Sequence, residues 1–216
     1  MKYSEQTLAN FNLIVEKKPK DTKALLQQAE TYRLTGQYSE ALKDFNEVLK
    51  LIPNYVWAFA HRGETYKLMK RYVEALEDFN RAIELNPAYV WAIAHRGVTY
   101  RFLGKEYYEK ALTDLTRAIE LNPNYAWAFA YRCLIYELIG SYKEGLVDFD
   151  RAIALDQSLF NHWRSKRGLM LSYDKRYAEA LECCEQALKE NPNDYLALYC
   201  IAVVKVHWQG LSERFC

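Results

Sequence analysis

Apolar residues recur along the chain at the three- and four-residue spacing of amphipathic helices, in paired segments that short polar turns separate. Residues 56–69 and 72–85 form the clearest pair, and the first of them carries Ala60, Gly63 and Tyr66 on one stripe. The apolar stripe of the second segment comprises Ala75, Leu76, Phe79, Ala82 and Ile83. Because neither helix can bury its stripe alone, the pattern predicts helix pairs that stack on neighbouring pairs.

This two-helix pattern repeats with a period of about 34 residues. Pro19, Pro53 and Pro87 are spaced by 34 residues, and Pro123 follows after 36 because of an insertion around Lys105–Tyr107. The segments NYVWAFAHRGETY, AYVWAIAHRGVTY and NYAWAFAYRCLIY begin at residues 54, 88 and 124. We predict one solenoid domain over residues 1–216, made of an N-terminal half repeat at 1–20, five repeats at 21–54, 55–88, 89–124, 125–158 and 159–193, and a C-terminal partial repeat at 194–216.

Small residues fill one column of the first helices, where two helix backbones must approach closely; they are Ala29, Gly63, Gly97, Cys133 and Gly168. Together with the Tyr, Phe, Ala and Pro columns at the same period, this pattern resembles the tetratricopeptide repeat. The Arg-Gly-x-x-Tyr and Asp-Phe-x-x-Ala-Ile segments are similar to the type abundant in bacterial multi-repeat proteins. The resemblance covers nearly the whole chain and implies an all-α fold, a right-handed α-solenoid of antiparallel helix pairs.

Charge and composition exclude several classes of protein. Lys and Arg number 29 and Asp and Glu 28, a net charge of +1, which gives no basic surface for nucleic acid and no general attraction to a membrane. No apolar run reaches the roughly 18 residues that span a bilayer. Because the first ten residues are polar, we expect no secretory signal, a cytoplasmic location and reduced cysteines.

The chain also lacks the motifs of common catalytic and cofactor sites. It contains no Gly-rich phosphate loop, no Gly-x-Ser-x-Gly segment and no Cys-x-x-Cys pair. His61 and His95 occupy equivalent positions in successive repeats, and helices about 8–10 Å apart would hold them too far from each other to share a zinc ion. We therefore predict that the protein is not an enzyme and holds no metal or cofactor.

The resemblance places the first helices on a concave face, and that face is the predicted binding surface. Its predicted partner-binding residues are Trp57, His61, Glu64, Trp91, His95, Arg101, Phe102, Trp127 and Tyr131. Two interpretations of the three tryptophans stay open. They either pack between helices and seal the inner layer, or form an aromatic ladder with open shelves above Ala60 and Ala94.

The second interpretation predicts a protein–protein interaction scaffold that binds a partner peptide or an amphipathic helix. The resemblance implies one further test, since some members of the family grip a partner's C-terminal carboxylate with Lys, Asn and Arg. The matching columns hold Leu26, Glu30, His61, Trp91 and His95 here, so this mode is disfavoured.

An alternative is a structural, self-associating segment of a larger signalling protein with no peptide ligand of its own. Residues 195–208 carry apolar side chains all round the predicted helix rather than on one stripe. We therefore expect either a homodimer through residues 195–216 or a chain that continues in a longer protein.

Arginine and aspartate columns recur at the same period and predict a ladder of ion pairs. Pairing each Asp with the Arg of the following repeat uses every charge, whereas pairing within a repeat leaves Asp44 and Arg167 unmatched. The predicted pairs are Asp44–Arg62, Asp78–Arg96, Asp114–Arg132 and Asp148–Arg167.

Overall fold

The computed structural model describes the backbone of residues 5–212 and the side chains of residues 7–157 and 163–206. Between residues 5 and 212 the secondary structure is entirely helical, and a short 3-10 helix at Lys105–Tyr107 occupies the predicted insertion. The α-helices are α1 Glu5–Lys17, α2 Thr22–Leu34, α3 Tyr38–Leu51, α4 Val56–Leu68, α5 Tyr72–Leu85, α6 Val90–Leu103, α7 Tyr108–Leu121, α8 Ala126–Ile139, α9 Tyr142–Leu155, α10 Ser158–Tyr173, α11 Tyr177–Glu190 and α12 Tyr195–Ser212.

The helices form two compact units, α1–α7 up to Leu121 and α8–α12 from Asn122 onward. In the first unit α2 pairs with α3, α4 with α5 and α6 with α7, and α1 packs on α2. In the second unit α8 pairs with α9 and α10 with α11, and α12 packs on both α10 and α11. This is an all-α helical-repeat architecture, as the sequence pattern predicted.

Each pair is held close by the small-residue column of its first helix. A Cβ atom at Gly63 would lie only 3.2 Å from the Ala75 carbonyl oxygen, the Asp78 Cβ and the Phe79 ring. The aromatic residue of the second helix is buried beside this contact, and Phe79 has no exposed surface. Before Pro87 the chain leaves the helix at Asn86, whose φ of −141° and ψ of 92° are the extended values favoured ahead of proline.

The arginine–aspartate columns do pair, but the predicted register is wrong. Three of the four arginines bond the aspartate of their own repeat with two donors, through Nε and Nη2, and every one of these contacts is 2.6–2.7 Å long. The observed pairs are Arg62–Asp78, Arg96–Asp114 and Arg132–Asp148. The Gly contact explains this register, because it brings Asp78 against the residue that follows Arg62.

Pairing within each repeat leaves the residues at the two ends, Asp44 and Arg167, without an oppositely charged partner in these columns. Asp44, whose column partner is Gln28, keeps a buried Oδ2 with no hydrogen-bond partner, and burial raises its pKa to about 6. Arg167 bonds Asp150 at 3.0 Å instead of Asp148 and donates to the Cys183 Sγ at 3.2 Å. The prediction failed because it assumed that no half-buried carboxylate would stay unpaired.

None of the described helices is long and apolar enough to cross a membrane.

Candidate functional site

Four aromatic rings of α4 and α6 form one continuous stack in the first unit. The rings of Trp57 and His61 lie 3.8 Å apart between centroids, those of His61 and Trp91 4.6 Å, and those of Trp91 and His95 3.8 Å. Interplanar angles of 19–30° make these contacts near-parallel. The repeat period therefore produces an alternating layer of tryptophan and histidine.

This stack corrects the expectation of open shelves between the tryptophans. His61 occupies the space between the two indole rings, and the alanines beneath them, Ala60 and Ala94, are fully buried. Trp57 and Trp91 nevertheless stay partly exposed. The ring faces thus pack within the protein, whereas part of each indole remains accessible to a partner.

A carboxylate from the preceding first helix braces each histidine of the stack. The Glu64 carboxylate on α4 accepts a 2.6 Å hydrogen bond from the His95 Nδ1 on α6 and a 2.7 Å bond from the Lys67 Nζ. Burial raises the pKa of Glu64, but these two partners outweigh burial and bring it to about 2. Burial lowers the pKa of His95 to about 4, so at neutral pH an uncharged imidazole faces a carboxylate.

A looser version of this arrangement occurs one repeat earlier, where the His61 Nδ1 is buried without a hydrogen-bond partner. Glu30 on α2 lies 3.4 Å from the His61 Nδ1 and accepts two hydrogen bonds from Arg33. Burial raises the pKa of Glu30, and the nearby His61 and the two hydrogen bonds from Arg33 lower it to about 2 overall. Both glutamates are therefore ionised and already hold cationic partners beside the aromatic layer.

A cavity of about 510 Å³ lies at the Trp57 end of the stack. Its walls are mostly apolar, and Lys23 and Glu30 supply its charges. The lining residues are Thr7, Phe11, Lys23, Leu26, Gln27, Glu30, Tyr55 and Trp57. The columns of the first helices did not predict this cavity, because α1, which supplies Thr7 and Phe11, belongs to the half repeat that precedes them.

The remaining predicted site residues are not part of this stack. Arg101 and Phe102 lie at the C-terminal end of α6, ten and eleven residues after Trp91. Phe102 stacks on Tyr72 at 5.4 Å, and the Arg101 guanidinium lies 5.2 Å from the Phe102 ring centroid. In the second unit Trp127 contacts Tyr131 at 4.1 Å and Tyr125 at 5.9 Å.

Within the described residues no cluster of three or more His, Cys, Asp or Glu side chains is arranged to hold a metal ion. The described cysteines are free thiols, and three of them, Cys133, Cys184 and Cys200, are buried. Burial raises the pKa of Cys133 to about 12, so this thiol is protonated at neutral pH.

Comparisons with known proteins agree with the repeat pattern. Models of the tetratricopeptide repeat match residues 56–89 and 164–194, and a related TPR repeat model matches residues 29–70. A protein prenyltransferase alpha subunit repeat model matches residues 108–139. No curated protein matches the sequence significantly.

Solved structures share the fold over most of the chain. YrrB, a TPR protein with an unusual peptide-binding site, is 23% identical with a TM-score of 0.67 over 88% of this chain and 96% of its own. The thermophilic TPR protein TTC0263 of Thermus thermophilus is 25% identical with a TM-score of 0.65, covering 85% and 98%. The pilus biogenesis factor PilW is 18% identical with a TM-score of 0.80, covering 90% and 89%. The chain belongs to the multi-repeat tetratricopeptide repeat proteins.

Proposed function

We propose that this protein is a non-catalytic protein–protein interaction scaffold that binds a segment of a partner. The partner lies on the inner helices of the first unit, which are the first helices of its repeats, α2, α4 and α6. The cavity beside the partly exposed Trp57 carries this proposal. Concave sites with apolar walls and a few polar groups are typical binding sites, and indole rings are frequent anchors at interfaces. The peptide-binding site of YrrB, which has the same fold, supports the same use.

The aromatic stack has the properties of a rigid platform for such a partner. Its rings are fixed by face-to-face contacts and by the Glu30 and Glu64 carboxylates, so little side-chain entropy is lost on binding. Trp57, His61 and Trp91 contact the partner in this proposal, while Glu64 and His95 are buried and position those rings. Trp127 and Tyr131 give the second unit an aromatic pair of its own.

The non-catalytic assignment rests on the titratable groups of the site. The Glu30 and Glu64 carboxylates are held as anions by charged partners, and the Cys133 thiol is buried with a raised pKa. A cytoplasmic location belongs to the same proposal, and the free thiols of the described residues support it.

A bulky side chain at the cavity rim tests the binding site without removing any core contact. Gln27 is exposed and lines the cavity, so Gln27→Trp should fill it and weaken binding at least about tenfold. Twelve-residue peptides selected from a random phage-displayed library on the wild-type chain serve as probes, measured by fluorescence anisotropy. Lys43→Trp, an exposed position on α3, is the matched control and should bind normally. If Gln27→Trp and Lys43→Trp bind the selected peptides with equal affinity, the binding site does not include this cavity.

A second candidate function, self-association, is favoured by one surface of α12. Tyr195, Leu198, Tyr199 and Val206 are 50–75% exposed and lie at helical spacing on one side. The opposite side, with Ala197, Cys200 and Val204, is fully buried against α10 and α11. A helix with apolar residues on both sides is stabilised by a further covering surface.

If a second copy covers this surface, the wild-type chain should sediment as a dimer at about 100 μM. The double variant Leu198→Glu, Tyr199→Glu places charges in the contact and should sediment as a monomer with an unchanged helical circular dichroism spectrum. Val147→Glu, equally exposed on α9, controls for the added charge. A wild-type monomer at this concentration would contradict self-association through α12.

A further inference from the structure

We infer that the partner segment is acidic, with two side-chain carboxylates about seven residues apart and an apolar side chain that enters the cavity. This inference rests on the proposed binding function and adds the chemistry of the ligand. Two cations of the inner helices, Lys23 on α2 and Arg101 on α6, carry it.

The other cations of α2, α4 and α6 are neutralised within the protein. Arg33 pairs with Glu30 and Lys67 with Glu64, each three residues earlier on the same helix. Arg62 and Arg96 turn toward the second helices and pair with Asp78 and Asp114. Within the described part of the chain, Lys23 and Arg101 form no ion pair.

Arg101 lacks a carboxylate for a reason that the repeat makes clear. It occupies the column of Arg33 and Lys67, but Val98 stands three residues before it, where the earlier repeats have glutamate. Its Nε is buried and has no hydrogen-bond partner. A buried donor without a partner is costly, and a guanidinium is well matched to a carboxylate. The Phe102 ring lies beside the guanidinium and restricts its position.

Lys23 meets the partner at the cavity. It occupies the column of Trp57 and Trp91 in the first repeat and lines the cavity with an exposed ammonium group. Glu30, the other charge there, is already engaged by Arg33 and His61. A carboxylate that enters with an apolar side chain therefore gains the attraction of Lys23.

The positions of the two cations define the spacing of the acidic residues. Lys23 and Arg101 lie two inner helices apart, about 8–10 Å per helix, and ten residues along the helix direction, about 15 Å. The diagonal is about 22–25 Å, which an extended chain covers in about seven residues at roughly 3.3 Å each. One C-terminal carboxylate can reach only one of these cations, so internal acidic side chains fit both.

The phage selection described above tests this chemistry, since displayed peptides present side chains and no free C-terminus. Peptides selected on the wild-type chain should be enriched in Asp and Glu, with two acidic positions about seven residues apart. One selected peptide, synthesised with both ends blocked, should lose at least about fivefold in affinity to Lys23→Gln and to Arg101→Gln, and more to the double variant. The double variant Lys43→Gln, Arg81→Gln removes two exposed cations from the second helices and should bind normally.

The outcomes separate this inference from the proposed function. Selected peptides without acidic enrichment, or acidic peptides that bind the Lys23→Gln, Arg101→Gln variant as tightly as the wild type, would overturn the inference and leave the binding function standing. A selection that yields no binding peptide would overturn both. Replacing the two acidic residues of the peptide by Gln should reproduce the loss seen with the double variant.

Discussion

Asp78→Asn should lower the free energy of unfolding by about 2–4 kcal/mol, between the values for exposed and buried ion pairs. The Asp78 side chain is 6% exposed and accepts two hydrogen bonds from Arg62. Burial raises the pKa of Asp78 despite Arg62, so the cost of the variant comes from the half-buried guanidinium that it leaves without a counter-ion. Urea unfolding at pH 7, followed by circular dichroism, measures the change.

A double-mutant cycle with Arg62→Gln checks the register of the pair. Asp78 should couple with Arg62 by more than about 1 kcal/mol and with Arg96 by almost nothing, because Arg96 bonds Asp114. A stronger coupling of Asp78 to Arg96 than to Arg62 would show that Asp78 pairs with the arginine of the following repeat.

Asp44→Asn is the matched control and should act in the opposite direction. The folded-state pKa of Asp44 is raised from 3.8 to about 6, so stability falls as the pH rises through this range and the ionised group is a cost above pH 6. The amide removes that cost. Because Asp44 is partly exposed, we expect a gain of only about 1 kcal/mol at pH 7.5 and almost none at pH 4.

Local sequence patterns were sufficient to predict the helices and their pairing. The Gly63 column and the prolines act over a few residues, where helix geometry alone decides which side chains meet. The register of the ion pairs depended also on how closely the two helices of a repeat approach each other. Both registers align the Arg and Asp columns, and only the close approach of α4 and α5 at Gly63 selects the contact within the repeat.

The binding surface was predicted less completely, for similar reasons. The tryptophan column is evident from the sequence, but the filling of its gaps by His61 depends on the offset between neighbouring inner helices. The carboxylate–histidine contacts do have a signal in the sequence. Glu30 precedes His61 by 31 residues and Glu64 precedes His95 by 31, so the carboxylate–histidine contact recurs with the period.

Burial of His95 makes the first unit sensitive to acid, and the Glu64 contact only partly offsets it. His95 is buried and its pKa falls from 6.5 to about 4, so the unfolded chain takes up a proton first as the pH drops. The contribution of the uncharged His95 to the free energy of unfolding is complete above pH 6.5 and is lost toward pH 4. The change is about 3 kcal/mol at 1.36 kcal/mol per pKa unit. Glu64, with a pKa lowered from 4.5 to about 2, extends the loss below pH 4.5.

His95→Phe should remove the part of this loss that lies between pH 6.5 and 4.5. Phenylalanine keeps a ring against Trp91 and cannot take up a proton. At pH 7.5 the variant should be less stable than the wild type by about 1–2 kcal/mol, because the hydrogen bond to Glu64 is lost. Near pH 4.5 it should be equally or more stable, because it cannot take up a proton. Glu64→Gln should instead cost about 3–5 kcal/mol at pH 7.5, because it leaves Lys67, whose side chain is 10% exposed, without its carboxylate. Urea unfolding of the three proteins at pH 7.5, 6.0 and 4.5 provides the comparison. Parallel pH profiles for the wild type and His95→Phe would show that protonation of His95 does not limit the stability of this unit.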